Sequence, residues 1–155
     1  MSRPVPTRSS IVTAIPPYSP EARRAFLAGL RRRAYDRESF NCWHLAGLVQ
    51  ATLFGRLLPA VDPLLIADLR ERARVLATHP VRSEWIAIPQ PEDGAMVLMG
   101  KVAGAETHAG TWLAEDGGLI LHTDEPHGVA LDPPLEIAQA RHWRITYLVP
   151  SGETP

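Results

Sequence analysis

The sequence predicts an α+β domain, with N-terminal helices packed on one face of a C-terminal antiparallel sheet. Three observations carry that expectation. The first half of the chain repeats apolar residues at helical spacing, as in Leu45, Leu48, Val49 and Leu53. The second half carries short β-like runs separated by turn signals. Helices followed by strands, rather than the two in alternation, belong to the α+β class.

Each element has its own signal. Residues 1–19 are rich in Pro, Ser and Arg, with Pro16-Pro17 and Ser19-Pro20, and read as an extended arm. Residues 20–150 form a single domain, a size that suits one hydrophobic core. Glu21 to about Arg33 reads as a helix. Ser19 or Pro20 opens it, Ala25, Phe26, Leu27 and Leu30 are its apolar positions, and Arg31, Arg32 and Arg33 complement the dipole in its last turn. After a polar stretch, Phe40-Asn-Cys-Trp-His-Leu45 leads into a strong helix, with Asn41 as N-cap and Gly55 as terminator. A further helix spans Pro63–Thr78, with Leu64, Leu65, Leu69 and Leu76 apolar. Its charged face is Asp68, Arg70, Glu71, Arg72 and Arg74. The strands are Trp85–Ile88, Ala95–Met99, His108–Leu113, Leu119–Thr123 and Trp143–Val149. The turns around them are Pro91-Glu-Asp-Gly94, Glu115-Asp-Gly-Gly118 and Asp132-Pro-Pro134.

Charge narrows the function. Sixteen basic and seventeen acidic residues leave a net charge of −1. That balance argues against a nucleic-acid partner, which selects a concentrated basic excess, and gives no pull toward anionic membranes. There is no apolar run of about 18 residues, so no membrane insertion is expected. The N-terminus lacks the apolar core of a signal peptide. A single cysteine excludes an internal disulfide and any multi-cysteine metal cluster. Such a cysteine is commonly just a small buried hydrophobe.

Its position suggests more. Cys42 starts a helix, where unpaired N–H groups and the positive dipole end are expected to favour a thiolate and lower the thiol pKa. A nucleophile also needs a base. Of six histidines, His108 begins one apolar strand and His122 closes the next. With a loop of Leu113 to Gly117, His108 falls directly opposite His122, with Cβ atoms roughly 5 Å apart. His108 would then accept the thiol proton while His122 fixes its tautomer. Asp124 and His127 are alternatives for that orienting role. A metal site of His108, His122 and His127 lacks any acidic or cysteine pattern to sharpen it. His79, before Pro80, reads as a surface residue at a helix end. His142 has no obvious partner. Trp43, Trp85, Trp112 and Trp143 read as core and cleft-wall residues, and Arg31–Arg33 as a solvated helix end.

Taken in order, these segments resemble the NlpC/P60 family of cell-wall peptidases, in particular its phage-tail-associated branch. Phe40-Asn-Cys-Trp-His-Leu-Ala-Gly-Leu-Val49 is similar to the family's nucleophile segment, and Leu53-Phe-Gly-Arg-Leu-Leu-Pro59 to its continuation. Glu92-Asp-Gly-Ala-Met-Val-Leu-Met99 resembles the strand before the catalytic histidine. His108-Ala-Gly-Thr-Trp-Leu113 and Leu119-Ile-Leu-His-Thr123 resemble the strands carrying the base and the third polar residue. The likeness covers about residues 35 to 130. It implies a papain-like fold and a cysteine peptidase that cleaves amide bonds in peptidoglycan stem peptides without a cofactor or metal. It further implies Cys42 as nucleophile, His108 as base and His122 as third member. Tyr35, Trp43 and His44 are the substrate-binding candidates. Partners would be the stem peptide and other phage tail proteins, with the chain carried in a tail particle to the cell wall. Two positions depart from the family: Asn41 stands where Asp is usual, and His44 where Gly is usual. His44 and the proline-rich arm leave room for a tail-assembly component without activity. The same triad would also serve a hydrolase or acyltransferase on another amide or ester.

Overall fold

The computed structural model describes residues 19–59 and 62–152. The expected arm lies outside them except for Ser19, whose hydroxyl accepts the Ala22 N–H at 3.1 Å and so opens the first helix. That helix, α1, runs Pro20–Leu30 and buries Leu27 and Leu30. It is shorter than expected. Arg31 is its C-cap, so the Arg31–Arg33 run lies beyond the last turn and is exposed.

The second helix, α2, spans Cys42–Phe54 between the two caps the sequence indicated. The Asn41 side chain accepts from the N–H groups of Trp43 and His44, and Gly55 closes the helix in the left-handed region at φ 65°. The helix expected over Pro63–Thr78 is two elements. Asp62 caps a 3-10 turn, Pro63–Leu65, and Asp68 caps α3, Leu69–Ala77. Each aspartate accepts a backbone N–H at 2.8 Å, from Leu64 and Glu71 respectively, and each therefore starts its own element. A short α4, Val81–Glu84, leads into the sheet.

Six strands follow: β1 Trp85–Ile88, β2 Met96–Gly100, β3 His108–Leu113, β4 Leu119–Asp124, β5 Gly128–Asp132 and β6 Arg144–Pro150. A fifth helix, α5, Pro134–Arg141, connects the last two strands. The sheet order is β1-β6-β2-β3-β4-β5, with every neighbouring pair antiparallel. The C-terminal strand is thus inserted between the first two. The α+β class holds, with two corrections. Gly128–Asp132 is a strand, although its turn-like ends hid it. The helices also cover both faces of the sheet: Ile137 of α5 packs with Val97, Met99 and Ile120 on the side away from α2.

On the α2 side the core has two parts. Trp43, Leu76, Trp85, Met96, Leu98 and Leu148 gather around Cys42. Leu27, Phe40, Leu45, Val49, Leu113 and Leu121 lock α1 and α2 onto β3 and β4. Arg23 of α1 also forms an ion pair with Asp93 at 2.6 Å, which ties the helix to the turn before β2. Among the described residues no helix is long and apolar enough to cross a membrane. Leu98 is fully buried beside Cys42. Replacing it with alanine is expected to lower stability by about 2–5 kcal/mol, measured by urea unfolding.

Candidate active site

Two element starts meet at the site. Cys42 is the first residue of α2, and His108 the first of β3. Packing α2 across β3 and β4 brings the thiol to 3.1 Å from His108 Nδ1. His108 Nε2 lies 3.0 Å from His122 Nδ1, and His122 Nε2 lies 2.8 Å from a carboxylate oxygen of Asp132. Cys42, His108, His122 and Asp132 therefore form one continuous chain of hydrogen-bonding groups. Comparisons with family models, curated proteins and solved structures give no match. The site therefore rests on its own geometry.

The direction of that chain follows from Asp132. A carboxylate accepts and does not donate, so His122 must present Nε2–H to it. A neutral His122 then offers a bare Nδ1, which accepts from Nε2–H of His108. A neutral His108 in turn presents a bare Nδ1 to the thiol. One carboxylate thus selects the tautomer of both rings, and the selected tautomer places a proton acceptor against sulfur.

Asp132 is the residue that sequence reasoning missed. In the sequence it signals only a turn, because its pairing with β4 depends on the short strand Gly128–Asp132, whose ends look turn-like. Neither alternative for the orienting role joins that chain. Asp124 is held by Arg141 at 2.6 Å, and His127 is exposed.

The hairpin register also differs from expectation. The pairs are Thr111↔Leu121 and Leu113↔Leu119, and continuing them sets Gly110, not His108, opposite His122. A slip of one residue would put the rings on opposite faces, whereas this slip of two keeps them on one. They meet diagonally, within reach of long side chains. Gly110 permits it. A Cβ there would lie 2.8 Å from the Leu121 carbonyl oxygen and 3.3 Å from His122 Cβ.

Burial decides the charge state. Cys42 is 4% exposed, and burial pushes its thiol up to about 12. The Ala109 N–H aimed at sulfur and the charge of Arg72 act the other way without overcoming burial. The expectation that the helix start lowers the thiol pKa is therefore corrected. Burial likewise pushes His108 well below its ordinary value, with His122 adding to the shift. His122 is lowered by burial too, against the pull of Asp132. Burial thus favours the neutral thiol and imidazole over the thiolate–imidazolium pair.

The substrate-binding candidates divide. Tyr35 is half-buried, and burial raises its hydroxyl above the ordinary value. Trp43 is corrected. It is 5% exposed, in the core and edge-on to His79, so it offers no cleft wall. His79 is corrected with it: it is buried, and its Nδ1 accepts the Val81 N–H at 3.1 Å. His44 completes a capping box, its Nδ1 accepting the Asn41 N–H at 3.1 Å, and its Nε2 lies 3.4 Å from Asp62. The Asn41 amide donates to the same Asp62 carboxylate at 2.9 Å. An aspartate at 41 would set two carboxylates together, so the two departures at 41 and 44 answer to Asp62.

His108 borders a cavity of about 500 Å³ with Arg72, Thr107, Asp124 and Trp143. The Trp143 ring lies 5.1 Å from that of His108 and covers it. A larger groove, about 690 Å³, lies between α1 and the β3–β4 loop and contains none of the four relay residues. Among the described residues no three His, Cys, Asp or Glu side chains converge as metal ligands.

Two outcomes are expected. Nitrogen-15 spectra at neutral pH should show both His108 and His122 as Nε2–H tautomers, and Asp132→Ala should leave His122 as a mixture. Below an unfolded-state pKa of about 6.5, the unfolded chain binds protons that these buried rings resist. Stability should therefore fall as pH drops below that value. His108→Gln should flatten the slope in denaturant titrations between about pH 7 and pH 5.

Proposed function

We propose that the protein is a cysteine hydrolase of the NlpC/P60 kind, cleaving amide bonds in peptidoglycan stem peptides as part of a phage or prophage tail. The single observation that supports this reading is the Cys42–His108–His122–Asp132 chain, whose polarity leaves His108 Nδ1 as acceptor against a thiol. The ordered sequence likeness supplies the substrate class.

In this mechanism the sulfur attacks the scissile carbonyl carbon while the thiol proton passes to His108 Nδ1. Starting from a neutral pair, transfer and attack proceed together, because a free thiolate in that buried position is unfavourable. The imidazolium so formed is stabilised through His122 by Asp132. The carbonyl oxygen becomes an oxyanion, and the Cys42 N–H is the donor for it. Asn41 takes the N–H groups of Trp43 and His44 and leaves that of Cys42 outside the cap. His108 then protonates the departing amine as the C–N bond breaks, which leaves a thioester. Water, deprotonated by His108, attacks the thioester. The acid product leaves, and Cys42 regains its proton. General acid–base transfer of this kind contributes about 10²–10⁴-fold to the rate.

One observation favours a second reading, a tail-assembly component without activity: Cys42 is buried and its thiol is raised. Muropeptide hydrolysis separates the two. The hydrolase reading expects product release by the wild type and none by Cys42→Ala. Equal release by both, or none by either, rejects it. Asp132→Ala is expected to lower kcat by about tenfold or more while moving KM less, because the carboxylate acts through two rings rather than on substrate.

A further inference from the structure

Glu106 is a buried carboxylate that the relay does not use. It is 1% exposed and lies two residues before His108. One of its oxygens takes the Arg82 guanidinium at 2.5 Å. The other accepts the Gly104 N–H at 3.1 Å and the Thr146 hydroxyl at 3.2 Å. Burial pushes the carboxyl up, but Arg82 and the Gly104 N–H outweigh it and hold the group below its ordinary value. An apolar residue of similar volume would fill this place without the desolvation that a buried charge incurs, so packing alone does not call for the pair.

Arg82 faces two ways. Its Nε donates to the Leu76 carbonyl at 3.2 Å, near the end of α3, while its Nη2 reaches Glu106. Those two anchors belong to two walls of the cavity beside His108. Leu69, Arg72 and Ala73 of α3 form one wall, and Val102, Ala105 and Thr107 of the β2–β3 loop form the other. A second tie joins them, from Arg72 Nη1 to the Thr107 carbonyl at 3.4 Å. Arg72 and Leu76 are four residues apart and share a face of α3, and Glu106 and Thr107 are adjacent. The two ties therefore run along one seam, which ends at the residue before the base.

We propose that Arg82 and Glu106 are positioning residues that clamp the β2–β3 loop to α3 and so fix the width of the cavity in which substrate meets His108. The clamp stands on its own geometry, and its effect on substrate rests on the hydrolase reading. Neither residue belongs to the relay, so loosening the clamp should weaken binding more than chemistry. The planar guanidinium suits the task because its separate N–H groups span a carbonyl on one wall and a carboxylate on the other. A lysine ammonium keeps the charge but is a single point.

The test compares Glu106→Gln, Arg82→Lys and the double variant with the wild type, by amide hydrogen exchange and by muropeptide turnover. The Ala105 and Thr107 amides, bonded to the Val102 and Met99 carbonyls, report the loop, and amides of β4 report the fold as a whole. Each single variant should speed loop exchange about tenfold or more relative to β4. KM should rise about tenfold while kcat stays within about threefold. The double variant should be no worse than the worse single one within about twofold, because both changes break the same bridge. If Glu106→Gln does not fold, Arg82→Lys carries the test alone. Loop exchange that follows β4, a KM within about twofold of the wild type's in an active variant, or additive effects in the double variant overturns the proposal. A wild type that releases no product rejects the hydrolase reading, and loop exchange then decides the clamp by itself.

Discussion

The hydrogen bond from His122 to the Asp132 carboxylate is the contact on which the rest of the site depends. It lies at the far end of the relay from the sulfur, on a partly exposed edge strand, yet it fixes which nitrogen of each ring carries a proton. Remove the acceptor and either tautomer of His122 can face either neighbour. The direction at sulfur is then no longer specified. A neutral relay needs such an anchor more than an ion pair does, since no charge on Cys42 or His108 imposes the order instead.

Burial gives the site this neutral character. The thiol lies among apolar side chains of the α2 core, both imidazoles are buried, and the Trp143 ring packs against His108. Desolvation disfavours every charged form, and at Cys42 it outweighs the amide of Ala109 and the charge of Arg72. In the proposed hydrolysis such a pair would hold its proton on sulfur at rest and separate charge only with an electrophile in place. The same burial accounts for the competing reading as a structural component, because an inert cysteine also sits in a dry core. What distinguishes this site from ordinary core packing is the unbroken polar chain beside the thiol. A buried imidazole with no role in the relay, such as His79, has its Nδ1 satisfied by a backbone amide instead.

The cap of α2 shows how neighbouring residues constrain one another. Asn41, His44 and Asp62 form a closed polar set in which the amide donates to the carboxylate and the imidazole returns to the Asn41 N–H. That set holds the first turn of α2, and with it Cys42, against the 3-10 turn that Asp62 itself begins. Positions 41 and 44 make sense only with position 62, twenty or so residues away in sequence, in view.

Much of this was legible in the sequence. Local chemistry determined the caps at Ser19, Asn41 and Gly55, the strand His108–Leu113, the α+β order and the three residues Cys42, His108 and His122. Short-range rules govern these features: an N-cap side chain reaches its own first turn, and alternation reports a half-buried strand. Everything that depends on which strand lies beside which was decided by tertiary structure. That includes the two-residue shift in the hairpin, the pairing of Gly128–Asp132 that delivers Asp132, the insertion of β6 between β1 and β2, and the burial that turns an expected thiolate into a thiol. Strand register and desolvation are properties of the packed whole. A helix start has the same dipole wherever it sits, but the charge state of the cysteine upon it is set by what covers it.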